Sequence, residues 1–339
     1  MKAERDDALP GLARMSGLVR TVTTPEFAGV TFYEVVSKSA LNRVPAGAGL
    51  PFEWTINPYR GCSHACVYCF ARSSHRYLDL DTGLGFDSQI IVKTNIVEVL
   101  TAELAKPSWS GQSVALGTNT DPYQRAEGRY QLMPGIIGAL ARSGTGVSIL
   151  TKGSLLRRDL PLLAAAASDI EVRIAMSIAV FDEALQASIE PGTPSTQARL
   201  ATISAARAAG LDAHVFLMPL MPGLTDGEDH LDKAAADLAA AGATGVTYGA
   251  LHLRPGVKEW FAQWLRRSRP DLLPLYRGLY GTRAEPHSEY KALLAARVNA
   301  ALERHGLDQG LPSWREGRKQ MPQDAVSLGA AKSPVNALF

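Results

Sequence analysis

Six times from residue 52 onward, a short run of β-branched or apolar residues is followed by a stretch with helical or loop character, and this alternation restricts the fold more than any other feature. The runs are FEWTIN (52–57), SVALGTN (113–119), GVSILTK (146–152), EVRIAMSI (171–178), AHVFLMP (213–219) and GVTYGALH (245–252). Helical patterns fall near 95–105, 134–142, 155–166, 196–209 and 228–241. Ser195 suits an N-cap, and Gly210 and Gly242 stand where helices stop. Strand then helix, repeated, implies parallel strands joined by right-handed crossovers. Six such units are too few for a closed eightfold barrel. The α/β fold is therefore an open, partial (β/α)6 TIM-like barrel or a doubly wound sheet, and in both the active site gathers at the C-terminal ends of the strands.

By the same pattern the chain divides into an N-terminal extension (1–49), the barrel (50–256), amphipathic C-terminal helices (257–305) and a tail (306–339) whose Gly, Pro, Gln, Ser and Lys content predicts mobility. With 339 residues, 46% of them hydrophobic, the chain can bury one large core or two modest ones. A net charge of +2 argues against disorder and against strong generic affinity for nucleic acid. Between Arg254 and Lys319 there are 13 basic and 7 acidic residues, an excess that reads as a solvated helical face before it reads as a nucleic-acid surface. No stretch reaches the roughly 18 apolar residues of a membrane span, and the first residues lack an apolar signal core, so no membrane contact and a cytoplasmic location are expected.

All three cysteines, Cys62, Cys66 and Cys69, lie within eight residues. An odd, clustered set makes a poor disulfide framework and a good metal-ligand set. Three thiolates on an iron–sulfur cube leave its fourth iron without a protein ligand, open to a chelating cosubstrate. The competing arrangement is a structural zinc site completed by His64 or His75, in a nucleic-acid-binding module.

The spacing Cys62-x3-Cys66-x2-Cys69, with Tyr68 before the last cysteine, resembles the signature of the radical SAM superfamily. The wider run from Asn57 to Arg72, together with GTNTDPYQ (117–124), Lys152, Ser177, Glu190-Pro191 before Arg199-Leu200, and MPLMPGLTD (218–226), is similar to the branch related to spore photoproduct lyase. The resemblance implies a [4Fe-4S] cluster on the three cysteines and S-adenosylmethionine held on its open iron. It implies reductive cleavage to a 5′-deoxyadenosyl radical that acts on a substrate, with nucleic acid a candidate. It also implies a flavodoxin- or ferredoxin-like electron donor.

Carried over residue by residue, the resemblance puts Tyr68 near adenine, Lys152 and Ser177 on the cosubstrate carboxylate, and Thr118 and Asn119 at its amino group. Lys152 could instead be a solvated strand-end lysine, and Asn119 a turn residue. Arg199 could grip a carboxylate bidentately or pair with Glu190 at the surface. Asp121 and Tyr123, in the loop after the second strand, are the candidate catalytic residues nearest substrate, with Arg125 beside them. His252 and Arg254 are further pocket candidates. The chain departs from spore photoproduct lyase in one respect. That enzyme's hydrogen-donor cysteine has no counterpart in Gly117 to Thr120, so a donor here would be Tyr123, recovered 5′-deoxyadenosine or an external reductant. The C-terminal Leu338 and Phe339 look like a motif that docks DNA-repair proteins on the sliding clamp.

Overall fold

The computed structural model describes residues 17–45, 50–78 and 80–307. Most of the tail, with Leu338 and Phe339, lies outside the described residues. In chain order the strands are β1 (Leu18–Val22), β2 (Thr31–Val35), β3 (Leu41–Arg43), β4 (Trp54–Ile56), β5 (Tyr59–Arg60), β6 (Gln89–Lys93), β7 (Val114–Leu116), β8 (Val147–Thr151), β9 (Val172–Ser177), β10 (Ala213–Leu220) and β11 (Gly245–Ala250). The helices are α1 (Leu84–Ser88), α2 (Ile96–Leu104), α3 (Arg125–Tyr130), α4 (Leu132–Arg142), α5 (Leu156–Ala166), α6 (Glu183–Ile189), α7 (Thr196–Ala208), α8 (Glu228–Ala240), α9 (Val257–Ser268), α10 (Leu273–Tyr280) and α11 (Ser288–Arg304). All six strand runs and all five helical patterns of the sequence are present.

The strands from β4 onward, except β5 and β6, form one sheet in the order β11-β10-β9-β8-β7-β4, with β3 antiparallel on the edge of β4. Every other neighbouring pair is parallel. A doubly wound sheet reverses its strand order at a switch point. Here the order runs one way throughout, as in a (β/α)6 barrel left open.

Side-chain alternation separates the two faces of this sheet. Val147, Ile149, Ile174, Met176, Val215 and Leu217 lie in the main core beneath α4, α5, α7 and α8. By the two-residue period, Ser148, Leu150, Arg173, Ala175, Ser177, His214 and Phe216 face the concave side. Each fully buried Leu or Ile under the helices contributes about 1.5–3 kcal/mol of transfer free energy, which makes the strand–helix seam the main source of cohesion. Ser195 caps α7 through the Ala198 amide at 3.2 Å, and Gly210 and Gly242 take the left-handed conformation just beyond α7 and α8, φ +78° and +82°.

Before the barrel, the N-terminal segment builds part of a second sheet, β1-β2-β6-β5. In it β2 runs parallel to β6, Thr31 opposite Gln89 through Val35 opposite Lys93. Its short β5 leads straight into the cysteine loop, and Phe32, Tyr59, Ile90 and Val92 join the main core.

Candidate active site

The cysteine loop follows β5 and lies against the segments that leave β9, β10 and β11. Cys66, Val67 and Tyr68 pack with Ala179, Val180, Met221, Leu251 and Leu253, while Cys62 packs with Ala71 and Phe86. The loop is tied down by its backbone. The Cys62 amide donates to Phe86 O at 3.0 Å, Val67 N to Ile189 O at 3.0 Å and Gly192 N to His64 O at 3.0 Å. A Cβ on Gly192 would stand 2.0 Å from Ser63 O, so only glycine lets the 189–192 segment approach this closely.

Side chains complete the fastening. Gln124 accepts from Ser63 N at 2.9 Å and donates to Gly61 O at 3.0 Å, and Thr120 donates to the same carbonyl at 2.7 Å. Arg72, buried, donates to Cys66 O from Nε and Nη2 at 3.1 and 2.9 Å, to Gly83 O at 2.8 Å, and to both oxygens of Asp87 at 2.8 and 2.9 Å. Its guanidinium lies 5.3 Å from the Phe86 ring centre and 5.0 Å from that of Trp260 in α9. Arg72 and Gln124 close two of the sequence runs that carry the resemblance, but nothing in the residue pattern assigned either a role. Each matters through a partner supplied by the fold.

The three thiols are free, with Cys62 and Cys66 buried and Cys69 partly so. Burial pushes all three thiol pKa values up, and Asp121 adds to the effect at Cys62. Such a set favours deprotonation only when a metal supplies compensating positive charge. Among the described residues no three His, Cys, Asp or Glu side chains gather as ligands of one ion. His64 turns its Nδ1 to Asp121 Oδ2 at 3.3 Å, and His75 Nε2 is bonded to Gln89 O at 3.0 Å. Three soft thiol donors suit a polynuclear iron–sulfur centre, whose ligands attach at separate corners.

Beside the loop, Tyr68, Lys152, Ser177, Glu190 and Arg199 come together although they are far apart in sequence. Lys152, just beyond β8, donates to Ser177 Oγ at 2.9 Å and to Glu190 Oε1 at 3.0 Å, and its ammonium stands 5.6 Å from the Tyr68 ring centre. The Tyr68 hydroxyl donates to Glu190 Oε1. Arg199 pairs with Glu190 Oε2 at 2.8 Å and donates to Ser177 O at 3.1 Å. Both members of that pair are wholly buried, 0% exposed, so the surface pairing considered for Arg199 becomes an interior one. Burial would raise the Glu190 pKa, but Arg199 and Lys152 override it and hold the carboxyl well below the usual range. Glu190 is therefore a carboxylate throughout the physiological range.

Thr118 Oγ1 and Asn119 N both approach Asn57 Oδ1 at 3.3 Å, which joins the ends of β7 and β4. Asp121 accepts from Thr151 Oγ1 at 2.5 Å, Lys152 N at 2.6 Å and Tyr123 N at 2.9 Å, which fixes the turn after β8 next to His64. Tyr123 points the other way. It lies in the main core, and burial, followed by the nearby Asp159, raises its pKa. Arg125 is exposed, 3.2 Å from Glu26 O; His252 faces Glu285 at 3.4 Å; and Arg254 stacks 5.6 Å from the Phe70 ring centre.

A family model described as the radical SAM superfamily matches residues 56–235, more than half of the chain. An uncharacterised protein of Mycobacterium tuberculosis is 58% identical over 302 residues, 89% of this chain and 88% of its own length. One from Methanocaldococcus jannaschii is 27% identical over 176 residues, 52% of this chain and 63% of that one. Among solved structures, spore photoproduct lyase complexed with dinucleoside spore photoproduct matches with TM-score 0.62 at 17% identity, over 82% of this chain and 80% of that one. A mutant of that enzyme with bound AdoMet and the dinucleoside also gives 0.62 and 17% over the same shares. At that identity the likeness is one of fold. No helix among the described residues is long and apolar enough to cross a membrane.

Proposed function

Because the chain belongs to the radical SAM superfamily, which uses a [4Fe-4S] cluster and S-adenosylmethionine, we propose that Cys62, Cys66 and Cys69 hold the cluster and that the ends of β7, β8 and β9 hold the cosubstrate. The observation that carries this reading is the junction of the buried cysteine loop with Lys152 and Ser177 through Glu190. When bound, the pair of groups supplies one-electron cleavage of a sulfonium and abstraction of a hydrogen atom from substrate.

The chain's own residues bind and orient. Lys152 Nζ and Ser177 Oγ offer a cation and a hydroxyl donor to a carboxylate, and charge-assisted bonds of this kind are roughly twice as strong as neutral ones. Asn57 Oδ1 and Thr118 Oγ1 are acceptors suited to an ammonium group at the neighbouring strand end. The Tyr68 ring closes one side of the site, and its hydroxyl is anchored on Glu190. The hydrophobic packing of Ala179, Val180 and Met221 around Cys66 and Tyr68 keeps water from the loop.

A nucleotide substrate is the second element of the proposal. It is supported by the fold shared with spore photoproduct lyase, whose solved complex contains a dinucleoside lesion. The electron would come from a flavodoxin- or ferredoxin-like donor. Anaerobic reconstitution tests the core of the reading. The expected product is a brown protein with about four irons per chain that releases 5′-deoxyadenosine when given dithionite and S-adenosylmethionine, while Cys62→Ser, Cys66→Ser and Cys69→Ser do not. A parent protein that stays colourless and iron-free under those conditions refutes it.

A further inference from the structure

At the centre of the charged group beside the cysteine loop is a carboxylate to which the proposed function gives no direct contact with cosubstrate. Glu190 is 0% exposed and both its oxygens are engaged: Oε1 by the Tyr68 hydroxyl and Lys152 Nζ, Oε2 by Arg199 Nη2 and, at 3.4 Å, Thr193 Oγ1. Its backbone is equally constrained. The flanking residues Ile189 and Gly192 each bond to the cysteine loop, and Thr193 Oγ1 donates to Glu190 O at 2.8 Å. One side chain thus links the cysteine loop, the end of β8 and helix α7.

Among the groups bonded to Glu190 the charges do not cancel, two cations facing one carboxylate. Lys152 and Arg199 face Glu190 together, and Arg199 has no exposed surface, so the surplus cation is Lys152. Asp121 stands nearby and is bonded to Thr151, His64 and the amides of Lys152 and Tyr123, whereas the Lys152 ammonium is bonded to Ser177 and Glu190.

We propose that Glu190 is a positioning residue for the cosubstrate's carboxylate: it neutralises Arg199, holds the Lys152 ammonium against Ser177 Oγ, and leaves that single cation for the incoming anion. The inference rests on the proposed function. It also makes a prediction opposite to simple electrostatics. If Glu190 were only a counter-charge, removing it would add positive potential and tighten the binding of any carboxylate. As a positioning residue, its removal frees Lys152 to swing away from Ser177, and binding loosens.

Equilibrium dialysis of anaerobically reconstituted protein without reductant separates the two, with S-adenosylmethionine and its decarboxylated form as probes and iron content as control. Glu190→Gln is expected to retain the parent's iron content and lose about 10-fold or more in affinity for S-adenosylmethionine, equivalent to about 1.4 kcal/mol, with affinity for the decarboxylated form unchanged. Glu190→Asp should recover part of the loss. Equal or tighter binding of S-adenosylmethionine by Glu190→Gln, or equal weakening of both probes, overturns the proposal. Should Glu190→Gln fail to fold with two buried cations unbalanced, Glu190→Met combined with Arg199→Met removes the buried pair together, a change often tolerated. That variant is expected to lose the preference for the carboxylate, and retention of the preference overturns the positioning role. A parent protein that takes up no iron overturns the functional reading and this inference together. A parent that discriminates beside a variant that still does overturns only the latter.

Discussion

Replacing Arg72 by alanine should unseat the cysteine loop. The side chain is 1% exposed and serves two carbonyls of the loop region, Cys66 O and Gly83 O, while forming a bidentate pair with Asp87. Removing one partner of a buried pair costs about 3–5 kcal/mol, and the unsatisfied carbonyls, at about 1 kcal/mol each, place the expected loss at the upper end. For a chain this long, at about 2 °C per kcal/mol, the melting temperature should fall by roughly 6–10 °C. Burial outweighs Arg72 and already pushes the Asp87 pKa up to about 6. Without Arg72 it rises further, so the carboxyl takes up a proton and the stability deficit should be smaller at pH 5.5 than at pH 8. Calorimetry of the metal-free protein at both pH values, with iron content after reconstitution, provides the check. A variant within about 1 kcal/mol of the parent that also takes up the parent's iron would show that the clamp does not hold the loop.

Acid should weaken the fold through two buried imidazoles. Burial lowers the pKa of His75 and of His214 to about 4, against an unfolded value near 6.5. The unfolded chain therefore binds more protons, and each group removes up to about 3 kcal/mol as pH falls from 6.5 through 4; urea titrations in which His214→Gln leaves that slope unchanged would count against it. Gly192→Ala should cost about 1–3 kcal/mol and reduce iron uptake, because its Cβ meets the rigid Ser63 carbonyl rather than a movable side chain; unchanged melting and uptake would contradict this. Gln124→Leu leaves Ser63 N without its side-chain partner and Gly61 O with Thr120 as its one remaining side-chain donor. It should destabilise the fold by about 1–3 kcal/mol and speed proteolysis at the cysteine loop, and a parent-like cleavage rate would argue against that anchoring.

Legibility varied with how local each signal is. The barrel strands were readable because each is a short β-branched or apolar run between helical patterns, and the caps at Ser195, Gly210 and Gly242 are fixed by neighbouring residues. The second sheet was not. β1 is largely exposed and carries no alternation, and β6 becomes a strand by pairing with β5 on one side and, on the other, with β2, more than fifty residues upstream.

The alternation of parallel strands with helices and the presence of three clustered sulfur donors follow from residue spacing alone, since apolar period and ligand spacing act over a few residues, whereas the strand order that makes the sheet an open barrel was decided by the tertiary structure. Which polar groups work together was settled by folding. Tyr68 and Glu190 are 122 residues apart, and Gln124 and Gly61 are 63 apart. A buried charge or amide takes its role from whichever partner replaces its lost water, and that partner exists only once distant segments are packed against each other.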